Sequence, residues 1–164
     1  MSFSERAIRQ DPMIHREDVS APGFTTTPWS VAGTARLHAV GRDIRSSLEM
    51  GLQAVLVLAL APASTPLRTE RSAPIRGEGD DVGSLFADLV EDLLGQIEFY
   101  GAGLHDVVID GVLRREDGGY IAWGYASGTL EAASPGEVPR LLGAPMVSDD
   151  ATQGVVLQAI LQRP

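Results

Sequence analysis

The chain has 164 residues, 44% of them hydrophobic and 21% charged, which suits one domain with a sizeable core rather than two. A net charge of −9 argues against a protein that wraps nucleic acid by itself, because neutralising phosphates needs a basic surface. There is no Cys, Lys or Asn, which rules out disulfides, thiolate metal sites, a Cys nucleophile, a Schiff-base lysine and a P-loop lysine. The most apolar run, Leu52 to Pro62, is about half of what a bilayer span requires and carries Gln53. The N-terminal stretch with Glu5, Arg6 and Arg9 has no apolar block and does not read as a signal peptide, so the expected location is the cytoplasm.

Residues 1–28 mix charge with Pro12, Pro22, Pro28, Gly23 and three threonines, and no period of 2 or 3.6 runs through them. They read as a flexible or draped arm from which a residue such as Phe24 could still pack on the domain. Trp29, Val31, Gly33, Ala35, Leu37 and Ala39 alternate and predict a first strand over 29–40. Asp43 then stands as an N-cap, and Ile44, Leu48, Leu52, Val55, Leu56 and Ala59 give a helical stripe ending before Pro62. Gly51 inside that stripe points to close packing.

Residues 67–76 alternate imperfectly and, with Pro74 and several charges, predict a strand near a sheet edge. The clearest period follows. Val82, Leu85, Phe86, Leu89, Val90, Leu93, Leu94 and Ile97 share one helix face, with Asp88, Glu91, Asp92, Gln96 and Glu98 opposite. Asp80 or Asp81 caps this helix and Gly101 and Gly103 stop it.

Val107 to Ile109 form a further strand, broken near Asp110-Gly111 and resuming at Val112-Leu113. Glu116-Asp-Gly-Gly119 is a turn, and Tyr120 to Tyr125 return to complete a hairpin. Residues 132–136 are a loop by composition. Residues 138–147 are an interrupted strand, Asp149-Asp150 opens a turn, and Val155 to Leu161 form the last strand. No internal repeat or linker is evident, so residues 29–164 read as a single α+β domain: a two-layer sandwich of two helices on a mixed sheet.

The candidates for chemistry are few. His15 lies in the arm, His38 in the first strand, and His105 in the loop before the third strand beside Asp106. A His-Asp neighbour pair could be half of an acid–base device, although adjacent loop residues more often point apart. Glu78, Asp80 and Asp81 could offer hard oxygen ligands to a divalent cation, but helix capping explains them more simply. Gly77-Glu-Gly79 and Gly101-Ala-Gly103 lack the context of a phosphate loop, and no Gly-x-Ser-x-Gly elbow is present. Trp123 and Tyr125 could form a base-stacking platform, but strand aromatics more often pack a core or a cross-strand partner. No catalytic, cofactor-binding or metal-binding residue is therefore assigned, and the chain is not expected to be an enzyme or to need a cofactor.

Four segments in this order resemble the archease family. Gly41-Arg-Asp-Ile-Arg-Ser-Ser-Leu-Glu49 resembles its turn into the first helix, and Pro66-Leu67 through Arg76 resembles the strand after that helix. Gly79-Asp-Asp81 with Ser84-Leu85 is similar to the start of its second, Leu-rich helix, and Trp123-Gly124 to the motif ending the following hairpin. Together they span about residues 29–128. The resemblance implies a small α+β protein that assists a partner such as a tRNA-splicing RNA ligase, acting as helper or chaperone and not as catalyst. The net charge and the short apolar run add the expectation of no direct nucleic-acid binding and no membrane association.

In the family, an Asp near the end of the first strand and a carboxylate in the last strand contribute to a metal site. Here the first position is Thr34, and Val155 to Gln162 contain no acid. Arg140 stands nearest to the family's strand lysine, and Tyr125 follows Trp123-Gly124 where the family prefers an acidic residue. The expectation is an archease-like protein whose metal-dependent role is lost or altered. The alternative is a divergent small-ligand protein or enzyme using His38, His105 and nearby carboxylates.

Overall fold

The structure, a computed structural model, describes residues 22–59, 70–100, 103–129 and 138–164. His15, residues 67–69 of the predicted second strand, Gly101 of the predicted helix stop and the loop over 132–136 lie outside those residues.

Strand β1 (Gly23–Thr26) pairs antiparallel with β2 (Thr34–Gly41), which pairs with the last strand, β8 (Gly154–Gln162). Two short strands, β6 (Arg140–Leu141) and β7 (Met146–Asp150), flank β8 on its other side and complete a five-stranded sheet. A second sheet has the order β3 (Glu70–Gly79), β5 (Tyr120–Thr129), β4 (Leu104–Arg114). Helices α1 (Ile44–Ala59) and α2 (Val82–Tyr100) follow β2 and β3. The α+β class with two helices on sheet is as expected. The single mixed sheet is corrected to two sheets in which every pairing among the described residues is antiparallel.

Both helices run where the apolar period places them. Leu85, Phe86, Leu89, Val90, Leu93, Leu94 and Ile97 of α2 are buried and Val82 is half-buried. Each large side chain so buried contributes roughly 1.5–3 kcal/mol of transfer free energy. A Cβ on Gly51 would stand 2.7 Å from the Phe86 ring, so the two helices meet where α1 has no side chain.

The first strand is shorter than predicted. Ala35, Leu37 and Ala39 point into the core, but Val31 is fully exposed in a turn closed by Gly33, whose φ is 83°. Gly23–Thr26, within the stretch expected to be an arm, is strand β1, and Phe24 packs against the core. Its threonines carry no apolar alternation, so pairing with β2 rather than side-chain pattern makes it a strand. In β4 the register slips between Ile109 and Gly111, a bulge at the predicted break.

A repeat that the sequence reading does not find emerges here. Each of β2 and β3 ends in Gly-x-Asp-x-x-Ser leading into a helix: Gly41, Asp43 and Ser46, then Gly79, Asp81 and Ser84. Asp43 Oδ1 accepts the Ser46 N–H at 2.8 Å, and the Asp43 N–H donates back to Ser46 Oγ at 3.2 Å. The Asp81–Ser84 pair repeats this at 2.7 and 3.2 Å. These are reciprocal caps with Ser in the place more often held by Glu. Asp81, not Asp80, is the cap of α2. A Cβ on Gly41 would collide with Ser46 and the Ser47 backbone nitrogen, and one on Gly79 with Ser84 and the Leu85 nitrogen.

The polar stripes of the helices have a shared use. Asp88 and Asp92 of α2 accept the Glu78 and Arg76 N–H groups, both at 2.8 Å, and Gln96 reaches the Pro74 carbonyl at 3.4 Å. These are backbone groups on the free edge of β3. On the opposite edge of the same sheet, Glu49 accepts the Ile109 N–H at 2.9 Å, Arg45 donates to the Ile109 carbonyl at 3.0 Å, and Gln53 donates to the Val107 carbonyl at 2.9 Å. Side chains spaced by four along each helix therefore satisfy both edges of the three-stranded sheet, where unpaired strands would otherwise invite other chains.

Candidate functional site

Three places hold the residues singled out by sequence. At the first, Thr34, the first residue of β2, stands opposite Gln162 of β8. Here both are neutral. The Thr34 hydroxyl is 2.9 Å from Ser30 Oγ, and the Thr34 N–H donates to the same Ser30 Oγ at 3.1 Å. Arg163, next along the chain, stacks over Trp29 with its guanidinium carbon 4.7 Å from the ring centre. Hard divalent cations need several oxygen ligands, mostly carboxylate, and this neighbourhood with a guanidinium in it does not fit them. Among the described residues no group of three or more His, Asp or Glu is placed to hold a metal ion.

The acidic cluster before α2 is the second place, and it is already occupied by the protein's own cation. Glu78 and Asp80 pair with Arg115 at 2.9 and 3.2 Å, and Arg115 also meets Asp117 at 3.1 Å. Arg115 comes from the β4–β5 turn, so the cluster ties that turn to the start of α2. Asp81 is spent on its cap: the Ser84 N–H, then the Ser84 hydroxyl, hold its carboxyl below the ordinary carboxylate range. Asp43 is lowered the same way, first by the Ser46 N–H.

The histidines make the third. His105 is in β4, not in a loop, and is exposed. Its neighbour Asp106 accepts a 2.6 Å hydrogen bond from Gln53 of α1. His38 lies on β2 in the other sheet, and among the described residues no hydrogen bond joins it to His105. The pairing of His38 with His105 is therefore corrected: each stands in its own surroundings.

His38 does line a cavity, and sequence alone did not reveal it. No described element covers the outer face of the five-stranded sheet, and there Thr25, Thr26, Thr27, Arg36, His38 and Gln158 line a volume of about 440 Å³ with an apolar rim. The rim is Leu142, Ala144 and Met146, from the chain that bulges away between β6 and β7, together with Ile160. Gly143, with a φ of 75°, permits that bulge.

The outer face of the three-stranded sheet is different. Ala122, Gly124 and Ala126 lie on the inner face, and Trp123 and Tyr125 point outward, each 38% exposed. Leu113 beside them is 59% exposed. Trp123 lies over Gly111, which has no side chain to obstruct it. These aromatics are thus not core residues; Trp123 stands between Gly111 and Arg76 of the neighbouring strands, and Tyr125 between Val108 and Pro74.

No family model matches the chain, and no curated protein matches it. Among solved structures it is similar to the solution structure of protein 1598 of Methanobacterium thermoautotrophicum, with a TM-score of 0.55 and 18% identity. The likeness covers 87% of this chain and 99% of that one, and concerns the fold. No helix among the described residues is long and apolar enough to cross a membrane.

Proposed function

We propose that this chain is an archease-type accessory protein that acts by binding a protein partner of the RNA-ligase kind, without a carboxylate-built metal site and without catalysis of its own. The observation that carries the reading is where the resembling segments fall. They occupy both capped helix starts, strand β3 and Trp123-Gly124 of β5, while Thr34 and Gln162 meet across two strands with neutral side chains. Framework is kept and the charged positions are changed.

Exposed Trp123, Tyr125 and Leu113 supply the contact surface in this reading. Large aromatics on a flat, half-exposed strand face are the residue types that dominate protein–protein hot spots. The acidic surface, at −9 overall, suits a basic partner such as an RNA-processing enzyme and disfavours direct RNA binding. The test is co-purification of the tagged chain with the RNA ligase of the same organism, wild type against W123A/Y125A. Retention by the wild type and loss by the double variant is the expected result. Equal failure of both discards the ligase partner, and equal retention discards the aromatic face.

A further inference from the structure

The register of the five-stranded sheet builds the cavity on its outer face from two adjacent rows. Thr25, His38, Gln158 and Met146 stand opposite one another across four strands. Beside them, Arg36 is opposite Ile160, with Thr27 and Leu142 hydrogen-bonded to their two backbones. One end of the cavity is thus polar and cationic, the other aliphatic.

The Thr27 hydroxyl accepts the Arg36 backbone N–H at 2.9 Å, but other polar side chains there are uncommitted. Among the described residues the Arg36 guanidinium has no ion pair and no hydrogen bond, and the side chains of His38 and Gln158 have none. No carboxylate is found among the described lining residues, although the chain has 22 acidic residues against 13 basic ones. The local sign is opposite to that of the molecule. A single guanidinium offers a planar fork of donors that matches one carboxylate, and provides one fixed positive charge. Met146 and Leu142 leave 68% and 44% of their surface exposed at the rim, which an aliphatic body would cover. The volume lies within the ordinary range for small-molecule sites.

We propose that this cavity binds a small amphipathic carboxylate, a monoanion with an aliphatic body of several carbons. Its carboxylate pairs with Arg36, flanked by His38 and the Thr25 hydroxyl, and its body lies on Leu142, Met146 and Ile160. The site is on the opposite sheet from Trp123 and Tyr125 and stands or falls independently of the partner reading.

The test is an amide-resolved NMR titration of the full chain with hexanoate and, separately, hexanamide at constant ionic strength. Saturable shifts centred on Thr25, His38, Gln158 and Met146 are expected, with hexanoate binding about tenfold or more tighter than the amide, the usual scale for a charge-assisted contact. R36Q should weaken hexanoate by about the same factor while leaving the unfolding midpoint unchanged. M146E, which sets a carboxylate at an exposed rim position, should weaken it as well and spare the amide. Equal binding of acid and amide, saturable shifts centred elsewhere, no saturable shift, or R36Q binding hexanoate as the wild type does would each overturn the proposal.

Discussion

The two strand–helix units of this protein, β2 into α1 and β3 into α2, use the same joint for different ends. Each strand stops at a glycine with no room for a Cβ, each helix starts on an Asp–Ser reciprocal cap, and each helix lays a polar stripe along one edge of the three-stranded sheet. Their outer faces diverge. The sheet containing β2 offers a cavity with Arg36 and His38, and the sheet containing β3 a flat aromatic face with Trp123 and Tyr125. What is repeated is framework, set by steric and hydrogen-bonding needs that any such joint has. What could recognise another molecule is not repeated.

The equivalence of the joints can be broken most severely at the glycines. G41A and G79A each press a Cβ onto helix backbone, which cannot rotate aside as a side chain could. Each should cost about 3 kcal/mol in urea unfolding, at the upper end of overpacking effects. A near-neutral G41A beside a damaging G79A would show that only one joint is sterically closed.

Edge satisfaction comes next. E49A leaves the Ile109 N–H without its partner, and D92A does the same to Arg76. Losses of about 1–3 kcal/mol are expected for a buried donor left unmade. The Ile109 group is the more buried, so E49A should cost more, while water can reach the Arg76 amide. Amide exchange at Ile109 and Arg76 reads the effect locally.

The caps are smaller again. D43A and D81A should each lose about 1 kcal/mol. Both carboxyls are held below the ordinary value of 3.8, so the folded state binds their protons more weakly than the unfolded state does. Their stabilisation is therefore full above 3.8 and fades as pH falls through the folded value. The double variant D43N/D81N keeps both caps and removes this titration, so its stability should fall less than the wild type's between pH 5 and pH 3. The smallest effect is expected for R115A, whose pairs with Glu78, Asp80 and Asp117 lie at the surface and vanish in high salt. A midpoint difference that persists in high salt would contradict that.

Much of this framework was legible from the residues. The 3.6 period of Val82 to Ile97 announces α2, Pro74 marks β3 as an edge, and Asp110-Gly111 marks the bulge. The use of the polar stripes was not legible, because a period tells which side chains share a face and not what that face touches. The period groups Asp88, Asp92 and Gln96 opposite the apolar face, and the fold sets them along the edge of β3. The joint repeat escaped because only Gly, Asp and Ser recur while the surrounding residues differ. The cavity escaped for a different reason: Thr25, His38, Gln158 and Met146 become neighbours only through the register of four strands from opposite ends of the chain.

The proposed function supposes an archease-type framework without a carboxylate-built metal site. Calorimetric titration of the full chain with Ca²⁺, Mg²⁺ and Mn²⁺ measures this directly. With Thr34 opposite Gln162 and no acid in β8, no stoichiometric heat of binding is predicted. Tight one-to-one binding of any of the three, abolished by T34A or Q162A, would contradict it.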